Sequence, residues 1–216
     1  MDYKILSKVI EQKADDILER AEGEEVVHGL LSLLPAGGFL DKVLFRRIKQ
    51  RARKRLEEFH VVFAKQLSYL DESKIDKEFL DSEEFDTLIM KVVASTVWAH
   101  SEEKRAFLRA VLLNSITVDF SKNPMKETII ELLNEVSPAH IKVLEAFSKN
   151  MLRGSSGFNS LSELMNVING MQEIDAEAIT CDLFKKGLLV KVEEFPHTFE
   201  VSGLGKCLLA FLREPE

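Results

Sequence analysis

Along most of this chain apolar residues return every third or fourth position, the period of one buried helical face. Ile5, Leu6, Val9, Ile10, Ala14, Ile17, Leu18 and Ala21 alternate with Lys8, Glu11, Lys13, Asp15 and Glu19, which predicts an amphipathic first helix ending near Gly23. A short apolar helix over 24–34 then meets Pro35 and the Gly37-Gly38 pair, where proline stops a helix and glycine permits a reversal, so a helical hairpin is expected. From Leu40 the stripe Leu44, Ile48, Ala52, Leu56, Phe59, Phe63, Leu67 and Leu70 predicts a single helix of about thirty residues, the spine of the molecule.

A polar break over 71–81 separates that helix from two more, marked by Phe85, Leu88, Ile89, Val92, Val93 and Val97 and by Phe107, Leu108, Val111, Leu112 and Leu113. Ser101 is placed to cap the second, with Glu102 and Glu103 favourably set against the helix dipole. Asn123-Pro124 and Ser137-Pro138 each pair a capping residue with a first-turn proline and predict two further helix starts.

After Ser137 the pattern changes. Helical spacings over 141–147, 161–168 (with a Ser160/Glu163 capping box) and 176–186 precede two short strand-like runs, 188–192 and 198–201, joined across Phe195-Pro196-His197. Leu204 to Leu212 adds a last helix. Three helices followed by a ribbon is the order of a winged helix. The expected fold class is therefore mainly α, an N-terminal helical bundle over 1–135 and a C-terminal winged-helix-like domain over 136–216.

Composition supports a packed helical protein: 45% hydrophobic and 30% charged residues in 216, with ten glycines and five prolines. The net charge of −7 argues against a globally basic nucleic-acid binder, so only local charge could carry that role. Cys181 and Cys207 have no zinc-ligand spacing and read as two buried thiols in a reducing cytoplasm. The first residues lack a signal-peptide layout, and the apolar stretch 26–40 is too interrupted to span a bilayer, which points to a cytoplasmic protein.

The strongest local charge feature lies on the long helix. Lys42, Arg46, Arg47, Lys49, Arg51, Arg53, Lys54 and Arg55 follow one another without an acidic residue among them. Lys42, Arg46, Lys49 and Arg53 fall on one side and could neutralise several phosphates, which predicts salt-sensitive nucleic-acid binding. The ordinary alternative is a solvated face paired with surrounding acidic helices. Joined to the apolar turn before it, the same run could dock on anionic lipid, although a buried hairpin explains those apolar residues as well.

Other constellations carry less. Glu25/His28 and Glu57/His60 have the Glu-x-x-His spacing of di-iron bundles, but the further glutamates such a centre needs are not evident. Gly154-Ser155-Ser156-Gly157 lacks the flanks of a nucleophile elbow or P-loop. Trp98 and His100 read as core and cap neighbours. The winged-helix recognition helix would carry Asp175, Glu177 and Asp182 against Lys185 and Lys186, and 137–216 holds eight basic and eleven acidic residues, a net of −3. That surface suits protein docking better than DNA.

Pro35-Ala36-Gly37-Gly38, Arg53-Lys54-Arg55-Leu56-Glu57-Glu58-Phe59, Glu102-Glu103-Lys104-Arg105, Asn114, Leu132-Leu133 and the run Ser137 to Leu144 together resemble a set of bacterial helical proteins of uncharacterised function. The segment around Ser137 with the winged-helix-like end is also similar to the abortive-infection alpha family of phage-defence proteins. The resemblance implies a cytoplasmic accessory or defence-associated role and brings no catalytic residues. Taken together, the expectation is a non-enzymatic interaction protein without cofactor or metal, docking other subunits or a second copy of itself. The competing expectations are nucleic-acid binding through 42–55 and a membrane-associated defence effector.

Overall fold

The stripe that begins at Leu40 forms one helix, α1 (Phe39–Leu67, 29 residues). The structure, a computed structural model, describes residues 39–149, 173–191 and 199–213, and the side chains of 39–46, 48, 49, 173 and 174 lie outside that description. The expected hairpin over 24–40, the Ser160/Glu163 capping box, the 154–157 loop and the 195–197 turn therefore fall outside the described residues. After α1 come a 3-10 turn at Glu72–Lys74 and a one-turn helix, α2 (Lys77–Leu80). Three longer helices follow: α3 (Glu83–Trp98), α4 (Glu102–Ser115) and α5 (Lys126–Glu135). Then come α6 (Pro138–Ser148), α7 (Glu173–Lys185), the strands β1 (Leu189–Lys191) and β2 (Phe199–Val201), and α8 (Gly203–Leu212). The described chain is thus mainly helical with one small antiparallel ribbon, and it divides into two compact units, one up to Ile130 and one from Glu131 to Arg213.

In the first unit α1 packs on α3 and α4. Ala52, Leu56, Phe59, Phe63 and Leu67 bury one side of α1 against Leu88, Ile89, Val92 and Val93 of α3 and Leu108, Val111 and Leu112 of α4. Phe59 and Phe63 stack one turn apart, ring centroids 6.1 Å and nearly parallel. Ser82 and Ser101 start α3 and α4 by accepting hydrogen bonds from the amides of Phe85 and Lys104; of the two, Ser101 is the cap expected from the sequence.

The stretch 71–81 is more ordered than its polarity suggests. Phe79 and Leu80 are buried, and Asp76 caps α2. Two loops are sewn together here: the Asp76 amide donates to Ile116, the Val118 amide to Lys74, and the Ser121 hydroxyl to the Asp76 carboxylate at 2.6 Å. Lys126 closes the seam. Its ammonium, 2% exposed, donates to the Ser121 carbonyl, pairs with Glu84 at 2.8 Å and lies 4.5 Å from the Phe79 ring centroid. Lys126→Met keeps the chain length but strips the Ser121 carbonyl of its charged donor, and is expected to cost about 2 kcal/mol in urea unfolding. The helix expected to start at Pro124 begins at Lys126 instead, because Asn123 accepts from the Met125 amide in a tight turn of its own.

In the second unit α7 packs on α6 and β1, and α8 on α6 and β2. The ribbon pairs Leu189 with Val201 and Lys191 with Phe199. Gly187, at φ 72°, ends α7 in the left-handed conformation, and the Leu188 amide reaches back to the Leu183 carbonyl at 2.9 Å to close the helix. Gly205 is the one position on α8 where a side chain would collide with the Leu188 carbonyl and Val201, so α8 rides directly on the ribbon. The two thiols depart from expectation: both are free, but Cys181 is exposed because it lies on the outer side of α7, while Cys207 is half-buried.

Candidate nucleic-acid interface

Successive residues of an α-helix are about 100° apart, so the buried positions 52, 56, 59 and 63 define the inner side of α1, 47 and 54 lie on the far side, and 51 lies on the flank between them and 55. Arg47, Arg51, Arg53 and Lys54 are all exposed. Arg53 meets Glu57 at 3.3 Å and Lys54 meets Glu58 at 3.7 Å, both partners one turn on along the same helix. With the cation on the amino-terminal side these are the weaker orientation of such pairs, worth a few tenths of a kcal/mol. Arg47 and Arg51 have no ion-pair partner among the described residues. Lys42, Arg46 and Lys49 belong to α1, but their side chains lie outside the described residues. Among the described residues no acidic side chain of another helix pairs with these four exposed cations. Their described partners come only from α1, because α3 and α4 occupy its buried side.

Arg55 turns inward and behaves differently. Its guanidinium donates to the Val97 carbonyl at 2.6 Å and lies 3.1 Å from Nδ1 of His100. From α4, Arg105 donates to the Ala99 carbonyl at 3.1 Å. Two guanidiniums from two helices thereby satisfy carbonyls at the carboxy-terminal end of α3, where the last turn has none of its own amides to bond and the dipole favours cations. Trp98 sits between the two clamped carbonyls and is 67% exposed. The expectation that it is a core residue is wrong: both neighbours are held down by arginines, and the indole is left pointing to solvent.

Beneath this turn two buried arginines meet two exposed carboxylates. Arg105 and Arg109 are both buried, and Glu102 bridges them, meeting Arg105 Nε at 2.9 Å and Arg109 Nη2 at 2.6 Å. Glu58 approaches Arg105 at 3.7 Å. Nε and Nη1 of Arg109 have no hydrogen-bond partner among the described residues, and the guanidinium instead lies 5.7 Å from the centroid of Phe59, whose ring attracts a desolvated cation.

Burial pushes the Glu102 carboxyl up, but the hydrogen bond and charge of Arg109, with those of Arg105, outweigh it and hold the group below its ordinary 4.5. The unfolded chain then takes up this proton more readily than the folded one. The contribution to stability is complete above about pH 4.5 and is lost as pH falls through the lowered folded value. Glu102→Gln is expected to flatten the acid limb of a Tm against pH curve below pH 4.5.

The pattern of residues does carry a signal for this cluster. Arg105 and Arg109 occupy the same apolar stripe of α4 as Leu108 and Leu112, where a charge calls for a partner. Elsewhere the expected chemistry is not assembled. Glu57 of the second Glu-x-x-His spacing faces Arg53, no group of three or more potential metal ligands occurs among the described residues, and Glu25/His28 lies outside them.

On α7 the basic and acidic side chains are partly consumed within the second unit. Lys186, just past its end, donates to Glu135 at 2.8 Å, and His140 Nε2 lies 3.1 Å from Asp182. With Ser137 donating its amide to His140 Nδ1, that imidazole carries its proton on Nε2, toward Asp182. Asp175, Glu177 and Lys185 remain exposed, as do Phe184 and Val190.

No protein-family model, curated protein or solved structure matches this chain. None of the described helices is long and apolar enough to cross a membrane.

Proposed function

We propose that this chain is a non-enzymatic interaction protein that binds nucleic-acid backbone through the outer side of α1. The observation that carries this reading is the set Arg47, Arg51 and Lys54, which is open to solvent outside the buried side of α1, with Arg53 exposed on the other flank. Seven residues of helix place the first and last of these roughly 10 Å apart along the axis, a spacing that lets adjacent cations meet successive phosphates. A net charge of −7 for the chain as a whole repels the same polyanion, which confines contact to this side and orients the approach. The test is titration of labelled oligonucleotides at several salt concentrations. Affinity should fall steeply between roughly 50 and 200 mM salt. No binding at the lowest salt overturns the proposal.

A second reading, docking of a protein partner or another copy of the chain, has its own support in the second unit. Phe184 is 40% and Val190 45% exposed there, on a surface whose acidic side chains disfavour phosphate. In this reading the unit is a winged-helix-like domain used for protein contacts, and the chain is a cytoplasmic accessory of phage defence, as the resemblance implies. Light scattering that shows a monomer at all concentrations, with no effect of Phe184→Glu on any complex, would remove it.

A further inference from the structure

Glu177, Ala178, Cys181, Phe184 and Lys185 of α7 are all exposed. At about 100° per residue they fill an arc that reaches about 60° to either side of Cys181. Ala176, Thr180 and Leu183 bury the other side of the helix. Of the charges beside this arc, Asp182 meets His140 and Lys186, and Lys186 meets Glu135, so both are used within the second unit. Glu177 and Lys185 have no ion-pair partner among the described residues. They stand about 12 Å apart along the axis, whereas side chains that pair on one helix are three or four residues apart.

An acid early and a base late on a helix suit its own dipole. The dipole gives no reason for an open ring and thiol between them. Phe184 is 40% exposed although its ring meets Phe199 edge to face, centroids 5.8 Å apart. Lys191 lies 5.7 Å from the Phe184 centroid and adds a second cation at the basic end of the arc. Such a surface, acidic at one end, basic at the other and apolar in the middle, is complementary to itself when reversed. An antiparallel second copy sets the partner's Lys185 level with Glu177, the partner's Phe184 level with Ala178, and the partner's Cys181 opposite Cys181. A ring level with a methyl group is the large-to-small match that close helix packing needs. Each of these matches occurs twice, as a two-fold axis requires. A parallel copy would instead set glutamate beside glutamate and lysine beside lysine.

We propose that the second unit docks another copy of this chain through α7, antiparallel, with the two-fold axis at Cys181. This rests on the protein-docking reading of that unit and narrows its partner to the chain itself.

The experiment follows the full chain in reducing buffer by sedimentation velocity from about 5 to about 500 μM, the range suited to an interface as small as one helix from each copy. A reversible monomer–dimer equilibrium is expected. Glu177→Lys and Lys185→Glu should each weaken the dimer roughly tenfold, because each creates two like-charge contacts, and the two changes combined in one chain should restore most of the affinity. In a Cys207→Ser background a short bismaleimide should join two chains, and Cys181→Ser should abolish the product. Unchanged melting of the charge variants shows that they fold. A dimer that ignores both charge reversals, that the combined variant does not restore, or that the reagent does not join at Cys181 overturns the α7 interface while leaving docking by the second unit in place. A monomer at every concentration overturns self-docking, and the broader reading falls with it if Phe184→Glu also leaves every complex with other proteins unchanged.

Discussion

Replacing Arg47, Arg51 and Lys54 together by glutamate is expected to lower nucleic-acid affinity by about 100- to 1000-fold near 0.1 M salt, with the fold intact. Each cation that neutralises one phosphate contributes about 0.9 to the slope of log K against log salt, so removing three such cations should make that slope shallower by nearly three. The two readouts are linked by the same counterion release, and a variant that loses affinity without losing slope has been damaged in some other way. Folding is expected to survive, because all three side chains are exposed and none bonds outside α1 in the described structure. The expected cost there is repulsion between the glutamate introduced at position 54 and Glu58 one turn on, a few tenths of a kcal/mol. Circular dichroism and urea unfolding of the triple variant would check it. Unchanged binding with an unchanged slope would show that the row is solvent decoration.

Phe59→Ala should produce the largest loss of stability, about 3 to 5 kcal/mol in urea unfolding. The ring is 1% exposed, stacks on Phe63 one turn away and lies under the Arg109 guanidinium. Truncation opens a cavity on the inner side of α1 and also removes the acceptor face that Arg109 uses in place of hydrogen bonds. Phe59→Leu refills most of the volume without restoring the ring. Its residual loss, compared with the same change in an Arg109→Met background, isolates the ring–cation coupling. A desolvated pair of this kind is worth up to about 2 kcal/mol. If Phe59→Leu is equally damaging in both backgrounds, Arg109 draws nothing from the ring.

Several features were legible along the chain because their causes are local. The stripe from Leu40 to Leu70 needed only a period of three to four, and α1 follows it as far as Leu67. Ser101 and Ser137 mark helix starts because a capping side chain finds its partner two or three residues away. Other features misled for reasons that are equally physical. The stretch 71–81 reads as a polar break, yet it holds the four-residue helix α2, too short for periodicity to register. Asn123-Pro124 has the composition of a helix start, but the Asn side chain serves its own turn instead. Trp98 reads as a core residue by type, but residue type says where tryptophans usually go, not where this one is held.

By itself, then, the sequence determined a mainly helical chain, the long spine helix with its uninterrupted cationic segment, and most of the caps, since each depends on neighbours within about one turn. What the tertiary structure decided is which charges are spent and which are exposed. Arg55 and Val97 are 42 residues apart, and nothing in their spacing announces that one will clamp the other. Arg105 and Arg109 are consumed by Glu102 and Phe59, while Arg47 and Arg51, the same residue type, remain open to solvent. That division is set by the packing of α1 against α3 and α4, which desolvates one side of each helix and leaves the other in water. Only there does a row of cations become a surface that can meet a polyanion.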